Sequence, residues 1–124
     1  MTNIHALIVE DEVDSAEVVE RILTYHNISF VTTHNAEDAL LTLQTEAPTV
    51  LIIDLALPGM DGWGLLKEVK NSPETSHIPA VAITAYHSTD VAQEAIDAGF
   101  NAYFPKPVEA TSFVRELERI VAGN

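Results

Sequence analysis

Acidic, hydroxyl and cationic side chains stand just beyond short apolar runs in this chain: Glu10-Asp11-Glu12, Asp54, Thr84 and Lys106. Any one of them alone has an ordinary account, because such residues often cap helices or sit solvated in loops. As a group they make a different chemical statement. Carboxylates brought close together repel, and keeping several ionised is costly without a cation. Glu10, Asp11 and Asp54 against Lys106 leave two negative charges, which one divalent ion balances. Oxygen donors, with no cysteine and no paired-histidine spacing, suit a hard cation such as Mg²⁺ and disfavour zinc. A carboxylate beside Mg²⁺ and an ammonium can attack a phosphoryl group, since both cations offset the charge of the approaching oxygens. Asp54 is the candidate nucleophile. Thr84 would donate a hydrogen bond to one phosphoryl oxygen, and Lys106 would pair with another as a compact charge.

These residues need elements that bring them together. Apolar, β-branched-rich runs predict strands over Ala6–Val9, Ile28–Thr32, Val50–Ile53, Ala80–Thr84 and Asn101–Phe104. Helical spacing predicts helices over Asp14–His26, Ala36–Glu46, Trp63–Asn71, Thr89–Ala98 and Glu109–Ala122. Asn35 reads as a helix cap, Asp90 with Gln93 as a capping box, Gly99 as a left-handed helix end, and Pro48 as the close of the second helical region. Strict alternation of strand and helix implies parallel strands, right-handed crossovers and a doubly wound α/β sheet with helices on both faces. In such a sheet, ligands bind beyond the carboxyl ends of the strands. Glu10, Asp54, Thr84 and Lys106 all fall there.

The 124 residues suit one domain, expected over residues 1–124 with no output domain. Six Lys and Arg against nineteen Asp and Glu give a net charge of −13, which opposes direct nucleic-acid binding. The absence of cysteine excludes disulfides and permits a reducing compartment. Met1–Glu10 lacks the features of a signal peptide, and no apolar run approaches the roughly 20 residues that span a bilayer. A cytoplasmic protein with no membrane association is expected.

The segment Asp54-Leu55-Ala56-Leu57-Pro58-Gly59-Met60-Asp61-Gly62 joins strand to helix through turn-forming residues. With the acidic pair Glu10-Asp11, Thr84-Ala85, and Tyr103 three residues before Lys106-Pro107, the chain resembles the receiver domains of two-component response regulators over its whole length. The match is to the stand-alone, chemotaxis-regulator-like type. That resemblance implies a flavodoxin-like five-stranded sheet in the order 2-1-3-4-5. It also implies a phosphoryl group passed to Asp54 from a sensor histidine kinase or histidine phosphotransfer protein, and an unidentified downstream protein target. Mg²⁺ would be held by Asp11, by Glu10 through water, by Asp54 and by the backbone carbonyl of Ala56. Thr84 would move toward the phosphoryl group and Tyr103 would swing inward, changing the surface near the fourth helix and fifth strand. The Lys106–Pro107 bond would be cis, and the protein a monomer or weak dimer. It would be a signalling switch and not an enzyme with a separate substrate.

Other residues carry narrower expectations. Ala56 and Tyr86, two positions after Asp54 and Thr84, would modulate the lifetime of the phosphoryl group, with Tyr86 slowing attack by water. Glu12, Asp14 and Asp61 read as caps or loop residues, with Glu12 a lesser influence on metal affinity. Of the five histidines, His87 is expected to be the one near the site. The first helix carries Ala16, Val18, Val19, Ile22, Leu23 and Tyr25, a wider arc than one buried stripe requires. Val18 and Ile22 are therefore candidate partner contacts, against the simpler reading of a broadly buried helix.

Competing functions share parts of this pattern. A phosphatase of the haloacid dehalogenase type also uses Asp, Thr, Lys and Mg²⁺, but it needs a second Asp where this chain has Ala56. A flavin-binding module on the same fold needs an amide-rich phosphate loop after the first strand, where Glu10-Asp11-Glu12 would repel the phosphate. A receiver-like scaffold that is no longer phosphorylated is the remaining alternative, although every reactive residue is present.

Overall fold

Each of the five apolar runs forms a short strand in the computed structural model, which describes residues 3–123. The strands are β1 (His5–Val9), β2 (Ser29–Thr33), β3 (Val50–Asp54), β4 (Ala80–Thr84) and β5 (Ala102–Pro105). They alternate with α1 (Val13–Tyr25), α2 (Ala36–Thr42), α3 (Gly62–Asn71), α4 (Thr89–Ala98) and α5 (Ala110–Val121). All strand pairs are parallel, and their order is β2-β1-β3-β4-β5, as expected. Met1, Thr2 and Asn124, included in the expected domain, lie outside the described residues.

The central strands are apolar on both sides because both sides are covered. Leu7 and Val9 of β1 pack with Leu51, Ile53, Ala80 and Ala82 beneath α2, α3 and α4, through Ala36, Ala39, Leu65, Leu66, Val69 and Ala95. The alternate residues Ala6, Ile8, Val50, Ile52, Val81 and Ile83 meet Val19 and Leu23 of α1 and Phe113, Leu117 and Ile120 of α5. The two-residue period of a strand divides these sets. Each fully buried Leu, Ile or Val contributes about 1.5–3 kcal/mol relative to exposure, so this two-sided core holds the strand ends in register.

Two local expectations are corrected. The second helix stops at Thr42, short of Glu46, because the chain tightens there into turns: Gln44 N–H donates to the Leu41 carbonyl and Thr45 N–H to that of Thr42. The Thr45 hydroxyl also bonds the Thr42 carbonyl at 3.3 Å, a local alternative to continued helix. The fourth helix is capped by Ser88, whose Oγ accepts from Val91 N–H at 3.1 Å, and not by Asp90. Asp90 lies inside the first turn, and Gln93 instead donates to Asp97 at 2.9 Å. Asn35 caps α2 and Asp61 caps α3, accepting from Gly64 N–H at 2.9 Å. Gly99 ends α4 in the left-handed region at φ 117°.

Candidate functional site

Parallel strands bring Glu10, Asp54, Thr84 and Lys106 to one edge of the sheet. Glu10 extends β1 by one residue, its N–H donating to the Thr33 carbonyl at 3.0 Å. Its side chain is fully buried. Asp54 ends β3 and is also buried. Lys106 follows β5, tied by its own N–H to the Thr84 carbonyl at 2.9 Å. The Lys106–Pro107 peptide is cis.

The Lys106 ammonium connects the acidic groups. It donates to Asp54 Oδ2 at 3.1 Å, forms an ion pair with Glu10 Oε1, and stands 3.8 Å from Glu12 Oε1. The other Asp54 oxygen, Oδ1, accepts from Ala56 N–H at 3.0 Å. Glu10 Oε2 accepts from Glu12 N–H at 3.3 Å, while buried Oε1 has no well-formed hydrogen bond and faces the ammonium. Burial, followed by contact with the Asp54 carboxyl, pushes the Glu10 pKa up to about 8 despite the opposing pull of Lys106. Burial opposes the charge on Lys106, but contacts with Glu10 and Asp54 outweigh it and raise its pKa above the ordinary value.

Carboxylate oxygens of Glu10, Glu12 and Asp54 lie within 4.8 Å of one another, a donor set suited to a hard divalent cation. Buried Glu10 Oε1, ion-paired with Lys106 but without a well-formed hydrogen bond, is an oxygen donor that such an ion would use. Asp11 is exposed and contributes no atom to this group; Glu12, read from sequence mainly as a loop residue, takes that place.

Thr84 is buried, with its Oγ1 accepting from Tyr86 N–H at 3.0 Å. Tyr86 itself is 73% exposed. With Ala56, Trp63, Thr84 and Glu94 it lines an open cavity of about 260 Å³ on the flank of the Asp54 loop. Tyr103 lies on β5 opposite Ala82, half-buried against the α2–α4 side of the core. Its hydroxyl shares a 3.0 Å hydrogen bond with His87 Nδ1.

On α1, Ala16, Val19 and Leu23 are buried, whereas Val18 is 41% exposed. Val18 borders a groove of about 230 Å³ with Ser15, Ala85, Lys106, Pro107 and Val108. Ile22 is half-buried against the α1–α5 side of the core, so the two candidate contacts have different surroundings.

Two contributors escaped the sequence reading. His34 Nδ1 lies 2.9 Å from the Glu10 carbonyl, which corrects the expectation that His87 alone among the histidines is near the site. The β2–β1 pairing brings His34 there across 24 residues, and no local pattern announces it. Gly62 is the second: a Cβ on it would stand 2.4 Å from the Asp54 carbonyl and 2.8 Å from Leu55 Cα. Its N–H donates to the Leu55 carbonyl at 3.1 Å, folding the loop back against the end of β3.

Known proteins resemble this chain in sequence and in fold. The response regulator receiver domain model matches residues 6–118. The two-component response regulator ORR12 of Oryza sativa subsp. japonica is 31% identical over 121 residues, covering 97% of this chain and 100% of the relative. The DNA-binding transcriptional regulator NtrC of Klebsiella pneumoniae is 34% identical across 94% of this chain, which spans only 24% of that relative's length. The receiver domain of sensor histidine kinase PA1611 from Pseudomonas aeruginosa PAO1, solved with magnesium coordinated in its active site cleft, superposes with a TM-score of 0.88. It covers 98% of this chain and 99% of that one at 22% identity, a likeness of fold.

Proposed function

This chain belongs to the response regulator receiver domain family, and on that premise we propose that Asp54 accepts a phosphoryl group from a phosphohistidine protein with Mg²⁺ bound. The single observation that carries this reading is the buried Asp54 carboxylate with both oxygens held, one by Ala56 N–H and one by Lys106 Nζ. A carboxylate oxygen forms the new O–P bond as the donor's N–P bond breaks, and the leaving imidazole recovers its electron pair. Mg²⁺, when bound, offsets charge on the transferring phosphoryl oxygens. Asp11, Glu10, Asp54 and the Ala56 carbonyl are the proposed protein ligands, with Glu12 at the margin of the site.

Lys106 pairs with a phosphoryl oxygen once the acyl phosphate forms, and the Thr84 hydroxyl donates to another while still accepting from Tyr86 N–H. Movement of Thr84 opens space for Tyr103, and the altered α4–β5 surface is read by another protein. The family consists of signalling switches, and this chain is proposed to act only on its own aspartate, in the cytoplasm. No helix among the described residues is long and apolar enough to cross a membrane. The groove beside Val18 is the proposed approach for the donor.

Intact mass after incubation with Mg²⁺ and acetyl phosphate tests the proposal. Wild type should gain one phosphoryl group and Asp54→Asn none; equal masses would overturn it.

A further inference from the structure

The hydroxyl of Tyr103 is anchored from outside the active site. His87 lies in the β4–α4 loop, three residues beyond Thr84, and Tyr103 lies in β5 on the neighbouring strand. His87 Nδ1 and the Tyr103 hydroxyl are 3.0 Å apart, and the two rings lie 5.7 Å apart with a 31° tilt. The imidazole is exposed, whereas the phenol ring is half-buried against the core. Bare Nδ1 can accept the phenolic proton, or Nδ1–H can donate to the phenol oxygen, so either neutral tautomer makes this bond.

We infer that His87 is a positioning residue that latches Tyr103 in its resting orientation and thereby opposes the switch to the phosphorylated state. The inference rests on the acceptor role proposed for Asp54 and adds the part that sets the resting equilibrium. An inward swing of the phenol ring must break the hydrogen bond to His87. Because His87 follows Thr84 by three residues in the loop leaving β4, movement of Thr84 toward a phosphoryl group also displaces the residue holding the latch. The phosphoryl group therefore acts on Tyr103 twice, opening its destination and loosening its hold. A ligand that binds the switched state better must supply the free energy of breaking this contact, and removing the contact raises apparent affinity.

Beryllium fluoride with Mg²⁺, which mimics a phosphoryl group on a carboxylate, provides the probe, and Trp63 beside the Asp54 loop provides the signal. A net hydrogen-bond contribution at the exposed end of the usual range predicts that His87→Ala lowers the half-saturating beryllium fluoride concentration about threefold. In the Tyr103→Phe background the same His87→Ala change should have no effect. An equal shift in both backgrounds, or none in the wild-type background, would overturn the latch. A second measurement requires no phosphoryl chemistry: in Mg²⁺-free protein, nuclear Overhauser contacts between the Tyr103 ring and the Thr84 methyl should strengthen in His87→Ala. Unchanged contacts would overturn the latch even if Asp54 is phosphorylated. Strengthened contacts in a protein that no variant allows to bind beryllium fluoride would instead reject the acceptor role and retain the latch.

Discussion

Lys106 Nζ stands 3.1 Å from Asp54 Oδ2 and at the same time ion-pairs with fully buried Glu10, so one ammonium holds two carboxylates in place. Neither acid can be understood without the other. In the proposed reaction this arrangement would position Asp54 for attack, with a divalent ion adding positive charge beside it.

Removing the ammonium should disable the chemistry. Lys106→Ala is expected to slow phosphorylation of Asp54 by acetyl phosphate about 100-fold, by analogy with the loss of one preorganised donor at a developing charge. Time-resolved intact mass measures this directly, and a rate within a factor of about two of wild type would remove Lys106 from the mechanism.

Stability without metal should depend on pH through Glu10. Its folded pKa, about 8, exceeds the ordinary 4.5, so the folded chain retains a proton that the unfolded chain releases. The contribution is fully present below about 4.5, declines across the interval, and is lost above about 8. Urea midpoints in chelator should therefore fall across this window. Glu10→Gln should reduce the slope, and Mg²⁺ should restore stability at the alkaline end. A slope unchanged by Glu10→Gln would assign the titration elsewhere.

Gly62→Ala tests the loop that supports Asp54. A methyl group there meets the Asp54 carbonyl at 2.4 Å, and both obstructing atoms nearest to it are backbone. Overpacking against such a rigid wall should cost about 2 kcal/mol, read from urea denaturation at constant m-value. Mg²⁺ affinity should fall as well, because the same shift moves Asp54.

The two acidic neighbours of Glu10 should separate by metal affinity. Asp11→Asn is expected to weaken Mg²⁺ binding strongly, and Glu12→Gln only slightly, as measured by Trp63 fluorescence. The reverse order would make Glu12 the ligand, in keeping with its place in the metal-free carboxylate group.

Tyr86 covers the open flank of the site from 73% exposure. Tyr86→Ala should therefore speed loss of the phosphoryl group from Asp54 by admitting water. A hydrolysis rate equal to wild type would leave Tyr86 with only its backbone contact to Thr84.

Much of this protein was legible in its residue order. Strands and helices emerged because β-branched apolar runs and helical spacing alternate, and the candidate site residues stand at or just after the strand ends. Where local signals competed, boundaries moved: Thr42 and Thr45 turn the chain where helical spacing would carry it to Glu46, and Ser88 outranks Asp90 because its hydroxyl reaches Val91 N–H. The asymmetric burial of α1, with Val19 covered and Val18 exposed, follows the face that packs on the sheet.

By itself, the order of residues determined the alternation of elements and the set of acidic, hydroxyl and cationic side chains at the strand ends. Those properties reside in side-chain type and short-range period. Only tertiary structure decided that Glu12 joins Glu10 and Asp54, that His34 reaches the Glu10 carbonyl, and that His87 holds Tyr103. Each depends on distances between segments separated in sequence, set by the register of parallel strands and the paths of their loops, which no local pattern encodes.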